Sequence, residues 1–73
     1  MKIKEISDAI KIKMNATLVN HSVSDELYDS FIVSGNGYIL IAIVHKSTTS
    51  CDLINPISRK LVKSFSLKEG GEE

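Results

Sequence analysis

The chain has 73 residues, with nine basic and nine acidic side chains and a formal net charge of zero at pH 7. This length allows one domain with a small core, and the neutral balance argues against a strongly basic nucleic-acid binder and against an acidic mimic of DNA. The single cysteine, Cys51, excludes an intrachain disulfide, and with only two histidines the chain lacks the ligands of a structural zinc site. We therefore expect no metal and no cofactor. Because so small a chain needs either good packing or a partner subunit, we predict a homo-oligomer.

The N-terminal residues and the longest apolar run bear on location. Residues 1–6 carry charges with no apolar stretch behind them, so we expect no secretory signal. The apolar run at residues 38–44 is far shorter than the roughly 20 residues of a membrane-spanning helix. We expect a cytoplasmic protein without a membrane segment, in which Cys51 is reduced.

The first predicted element is an amphipathic helix over residues 3–14, ended by Asn15. Apolar residues recur there at the i, i+3, i+7 and i+11 spacing of one helix face, and one alanine widens the stripe. Residues 10–14 also alternate as a strand does, but a strand does not explain the apolar positions that precede them. The stripe consists of Ile3, Ile6, Ala9, Ile10 and Met14.

Three strand-like segments follow. Weak alternation predicts a short strand at residues 17–23, and residues 27–34 have stronger strand character. The triplet Gly35-Asn36-Gly37 supplies residues that tolerate the positive φ angles of tight hairpin turns. It predicts that residues 27–34 pair antiparallel with residues 38–45.

Residues 38–44 are apolar on both faces of the predicted strand. An antiparallel strand with one wet face normally alternates between apolar and polar residues, so this one needs cover on both sides. The single N-terminal helix can cover only one of them. The remainder requires a second helix, a curled sheet or an interface with another protein.

The C-terminal third, after a short strand at residues 51–54, is open to two interpretations. Asn55-Pro56 is a good helix start, and Ile57, Leu61 and Phe65 would share one helix face. Alternatively, residues 55–60 form a hairpin loop and residues 61–67 return as a strand. Ser64 and Ser66 are poor helix formers, so we favour the hairpin.

The predicted fold is α+β, with the N-terminal helix packed on an antiparallel sheet of about four strands in the order α-β-β-β-β. Residues 1–67 form one compact domain. Residues 68–73 contain two glycines and no apolar side chain, and they predict a disordered acidic tail.

No pattern of reactive side chains indicates an enzyme. Nothing in the spacing of Cys51, His21 and His45 brings them together, and each is interpreted as a structural residue. Asp52 has no evident partner, and three further acids are interpreted as solvated loop charges with neither calcium-loop nor paired-carboxylate spacing. Those acids are Asp25, Glu26 and Asp29.

We predict a non-enzymatic interaction protein that binds another macromolecule, with a protein partner and as a homo-oligomer. Its size and composition are typical of phage and mobile-element inhibitors or regulators of host proteins. This association rests on size and composition alone. The alternative is a nucleic-acid or small anionic-ligand binding module that uses the basic C-terminal hairpin and two aromatic side chains for stacking. The candidate binding residues of that module are Arg59, Lys60, Lys63, Tyr28 and Tyr38.

Overall fold

A computed structural model describes residues 2–67 of the chain, and it consists of one helix followed by a five-stranded antiparallel sheet. The strands lie in the sheet in chain order, so each consecutive pair is a hairpin. The predicted α+β class and helix-first order are confirmed, and the predicted sheet of about four strands has five. The elements are α1 (Ile3–Met14), β1 (Leu18–Ser24), β2 (Tyr28–Gly35), β3 (Tyr38–His45), β4 (Ser50–Ile54) and β5 (Leu61–Ser66).

Helix α1 has the predicted bounds and the predicted apolar stripe. Ile6 and Ile10 are buried against the sheet, whereas Ile3, at the start of the stripe, remains 36% exposed. The backbone N–H of Lys2 donates to the Glu5 carboxylate at 3.1 Å, which satisfies one amide at the helix start. Asn15 adopts the left-handed conformation, with φ of 51°, and ends the helix as expected.

The turn between β2 and β3 joins them as predicted, and Gly37 is its residue with positive φ, at 85°. Gly35 pairs with Tyr38 across this hairpin, and a Cβ atom at Gly35 would overlap the Tyr38 ring. The Tyr38 hydroxyl donates to the Met14 carbonyl at 2.9 Å. Tyr38 therefore fastens the C-terminal end of α1 to the sheet.

The C-terminal third is the predicted hairpin and not a helix. The Asn55 side-chain oxygen accepts hydrogen bonds from the amides of Ile57 and Ser58 at 2.8 and 3.0 Å, which closes the turn locally. Arg59 takes a positive φ of 63°, and β5 then returns alongside β4. The tail predicted at residues 68–73 lies outside the described residues.

The core lies between α1 and one face of the sheet. Its buried side chains come from the helix stripe and from alternate positions of the central strands, with Ile10, Phe31 and Leu53 fully buried. The molecule has extents of 30 × 24 × 19 Å, as expected for one helix layer on one sheet layer. Within residues 2–67, no helix has both the length and the apolar composition needed to cross a membrane.

Candidate binding surface

The two faces of the sheet differ in what covers them. Side chains alternate between faces along a strand, so the strand register assigns each residue to one face. The covered face lies under α1, and the bare face is the opposite one. The covered face includes Val19, Phe31, Val33, Leu40, Ala42, Val44, Cys51, Leu53 and Phe65.

The bare face is also apolar. Its five most exposed aliphatic side chains are between 46% and 62% accessible, and three more are half-buried only because they lie between neighbours on the same face. Exposed apolar patches of this continuity are uncommon on monomers and mark interaction sites. The bare-face aliphatic residues are Leu18, Val23, Ile32, Ile39, Ile41, Ile43, Ile54 and Leu61.

Four of these residues form a continuous row across four strands. Ile32 pairs with Ile41, Ile41 pairs with Ile54, and Ile54 pairs with Leu61. We name these four residues the aliphatic row. In the neighbouring row across the sheet, Ile43 lies between shorter polar side chains. The sheet surface is therefore lower on that side of the aliphatic row.

The bare face carries one carboxylate, which is held by neighbouring side chains. Asp52 accepts a hydrogen bond from the Ser64 hydroxyl at 2.6 Å and lies 3.1 Å from Nε2 of His45. The bond from Ser64, followed by that from His45, holds the pKa of Asp52 below its ordinary value of 3.8 against the opposing effect of burial. The expectation that Asp52 lacks a partner is therefore wrong, because strand pairing with β5 brings Ser64 beside it.

A second histidine–carboxylate pair lies on the covered face. His21 Nε2 is 3.3 Å from Asp29 Oδ1, and the His21 ring contacts that of Phe31 with centroids 5.1 Å apart. Burial by itself raises the pKa of Asp29, but hydrogen bonds from Ser24 and His21 together with the Lys46 charge outweigh it and lower the pKa.

The interpretation of Asp29 as a solvated loop charge is wrong. The residue lies within β2 and is 3% exposed. Its position two residues before Phe31 puts it on the covered face.

Both edges of the sheet are interrupted. The pairing of β1 with β2 shifts register between His21 and Val23, and the pairing of β4 with β5 shifts between Leu53 and Ile54. The inner pairs, β2 with β3 and β3 with β4, run in continuous register. Bulges at the outer strands disfavour the addition of a further strand to the edge.

The basic residues predicted to bind a ligand lie on the C-terminal hairpin. Arg59 and Lys60 are exposed in the turn between β4 and β5. Lys63 is exposed on β5 and pairs with Leu53, which places it on the side of the covered face. The three cations therefore share one hairpin but not one face of the sheet.

The two tyrosines predicted to join them lie elsewhere. Tyr28 pairs with His45 at the opposite end of the sheet from the turn that holds Arg59. Tyr38 is half-buried on the covered side, with its ring over Gly35. The structure does not gather the five predicted residues into one cluster.

Cys51 and the Ser64–Asp52–His45 network differ in environment and geometry from nucleophilic sites. Burial, with the charge of Asp52, raises the pKa of the Cys51 thiol to about 12, and the side chain is fully buried. In the Ser64–Asp52–His45 network the serine donates to the carboxylate, whereas a nucleophilic triad places the histidine between them. Among residues 2–67, no group of three or more metal-binding side chains is present.

An open cavity of about 540 Å³ lies between the start of α1 and the end of the sheet. Lys2, Ile6, Lys46 and Thr49 are among its lining residues. Its carboxylate, Asp29, already pairs with His21, so the cavity presents no unsatisfied buried acid.

Comparison of the chain with protein-family models, with curated proteins and with solved structures finds no match in any of the three. The bare face is an exposed apolar surface of residues 2–67. The apolar run at residues 38–44 signals this face in the sequence. The aliphatic row itself depends on register between strands, which no single segment reveals.

Proposed function

We propose that this chain is a non-enzymatic interaction domain that binds another protein through the bare face of its sheet. The observation that carries the proposal is the aliphatic row together with its exposed neighbours on that face. Removing apolar surface from water is favourable by roughly 25 cal/mol per Å². The bare face, while exposed, lacks this stabilisation. Binding of a protein surface recovers that free energy.

The electrostatics of the face also support a protein partner. Among the strand residues that register assigns to the bare face, Asp52 is the one carboxylate, and none is lysine or arginine. Asp52 is paired with Ser64 and His45, so a partner that covers it does not bury an unpaired charge. Nucleic acid, in contrast, is bound chiefly through basic side chains.

The proposal is tested by affinity capture from the native host with three forms of the tagged chain. These are the wild type, Ile32→Lys on the bare face, and Ile12→Lys as a matched control on the helix, where Ile12 is 82% exposed. We expect a protein that the wild type and Ile12→Lys retain and that Ile32→Lys does not. Once purified, that protein is expected to bind the wild-type chain directly. If no protein, an untagged copy of this chain included, distinguishes Ile32→Lys from the control, the proposal is wrong.

The alternative function is a nucleic-acid or small anionic-ligand binder that uses the C-terminal hairpin. The adjacent exposed side chains of Arg59 and Lys60 favour it. Fluorescence anisotropy with single-stranded DNA and RNA across a range of salt concentrations tests it, with Arg59→Ala and Lys60→Ala combined as the comparison. Absence of binding at low ionic strength removes this alternative.

The prediction that the partner is a host protein inhibited or regulated by a phage or mobile-element protein stays a prediction. It rests on size and composition alone. The identity of a captured protein decides it.

A further inference from the structure

We propose that the occupant of the bare face is a second copy of this chain, packed so that the two sheets form a closed, two-fold symmetric sandwich. This inference rests on the proposed function, because it names the partner of that same surface. Sheets packed face to face lie about 10 Å apart with their strands roughly 30° from parallel. The helices then lie on the two outer sides.

The side-chain composition of the bare face favours a second copy as its occupant. Its aliphatic side chains are isoleucine, leucine and valine. Its strand residues include no arginine, tryptophan or methionine, and its one tyrosine, Tyr28, lies at the first position of β2, away from the aliphatic row. Interfaces between different, separately stable proteins rely on aromatic and arginine anchors. Permanent homodimer interfaces are more apolar and resemble a domain core cut in half, which is the composition found here.

The distribution of charge on the bare face also favours a second copy. A two-fold interface sets each patch against its own copy, so unpaired charges of one sign near the axis repel one another. The middle strand, β3, contributes Ile39, Ile41 and Ile43 to the bare face, and His45 at its end is paired with Asp52. Asp52 lies one strand away and is held by Ser64 and His45. The centre of the face is therefore complementary to itself.

The area of the bare face is comparable with that of a standard protein interface. The 30 × 24 Å side of a block with extents of 30 × 24 × 19 Å is about a fifth of its surface. The bare face therefore carries on the order of 1,000 Å² of the chain's 4947 Å², against roughly 800 Å² per partner in a standard interface. Burial of most of this face in a dimer meets that requirement.

The edges of the sheet disfavour edge-to-edge pairing, the other way in which sheets associate. Edge-to-edge pairing needs a regular outer strand, and both outer pairs in this sheet contain a register shift. The apolar face has no comparable protection, since none of its strand positions is a lysine. Two copies therefore associate by stacking their sheets and not by extending them.

The experiment is multi-angle light scattering after size-exclusion chromatography, with sedimentation equilibrium over a range of concentrations. The wild type is compared with Ile32→Lys and Leu61→Lys, at the two ends of the aliphatic row, and with Ile12→Lys as the control. Ile32 and Leu61 are 46% and 62% exposed in the single chain, so both variants are expected to fold, and circular dichroism checks this.

We expect the wild type and Ile12→Lys to have twice the mass of one chain. Each row variant is expected to weaken self-association by at least about 100-fold, because the two-fold axis brings a pair of unpaired lysines into an apolar interface. A wild type that is monomeric at all concentrations overturns the dimer, as does a mass that grows beyond two chains. A dimer that both row variants leave intact overturns the assignment of the face.

The two proposals fail separately. A monomeric wild type that nevertheless captures a purified protein, with the capture lost in Ile32→Lys, overturns the second copy as occupant and supports the protein-binding function. A monomeric wild type with no partner sensitive to that substitution overturns both.

Discussion

The covered and bare faces of the sheet are built from similar side chains, yet they have different surroundings. On β3, Leu40, Ala42 and Val44 are buried beneath α1, whereas Ile39 and Ile41 point to the side that nothing within residues 2–67 covers. One helix shields one face of a sheet. The comparison shows that the apolar residues of a strand indicate how many of its faces require shielding from water. That shielding includes any that another chain provides.

The largest expected difference between the faces comes from one substitution made on each. Leu53 is fully buried on the covered face and Leu61 is 62% exposed on the bare face. Leu53→Ala is expected to lower the free energy of unfolding by about 2–5 kcal/mol because it leaves a cavity, whereas Leu61→Ala changes it by about 0.5 kcal/mol. Urea denaturation at a concentration where only monomer is present measures both. Equal losses would contradict the assignment of the two faces.

A smaller effect is expected where α1 is fastened to the covered face. Tyr38→Phe removes the hydroxyl that donates to the Met14 carbonyl and is expected to cost about 1 kcal/mol of unfolding free energy. Tyr28→Phe is the matched control, since the Tyr28 hydroxyl makes no hydrogen bond within residues 2–67 and a change of less than about 0.5 kcal/mol is expected. A loss in Tyr28→Phe as large as that in Tyr38→Phe would argue against the anchoring role of Tyr38.

The smallest effect concerns acid stability. Asp29 and Asp52 both have pKa values below 3.8 in the folded chain, so the unfolded chain binds more protons as the pH falls below that value. The stabilisation of the folded chain by these two ionised carboxylates is present above pH 3.8. It is lost as the pH drops through their pKa values in the folded chain. Asp29→Asn and Asp52→Asn should each flatten the dependence of unfolding free energy on pH. The measurement is denaturation across the acidic range, and unchanged slopes in both variants would refute it.

The parts of the fold that depend on local signals follow from the sequence. The stripe from Ile6 to Met14 and the turn at Gly37 each lie within a few residues, and both are as predicted. The same holds for the Asn55 turn, which closes on its own neighbours and excludes the helical alternative for the C-terminal third.

The parts that depend on pairing between distant strands could not be predicted in the same way. Ser64 reaches Asp52 only through the register of β5 against β4, and that register contains a bulge. The aliphatic row likewise requires three registers at once. For Asp29, a signal was present: its alternation with Phe31 and Val33 places it on the apolar side of β2.

The most direct test of the bare face as an interface is methyl NMR of the isoleucines over a dilution series. The chain has ten isoleucines, and they divide between the two sides of the molecule and the C-terminal turn. We expect the signals of the bare-face set to change with concentration while those of Ile3, Ile12 and Ile57 remain constant. Changes confined to the helix would contradict this assignment, as would unchanged bare-face signals across concentrations at which sedimentation equilibrium shows dissociation. The bare-face set is Ile32, Ile39, Ile41, Ile43 and Ile54.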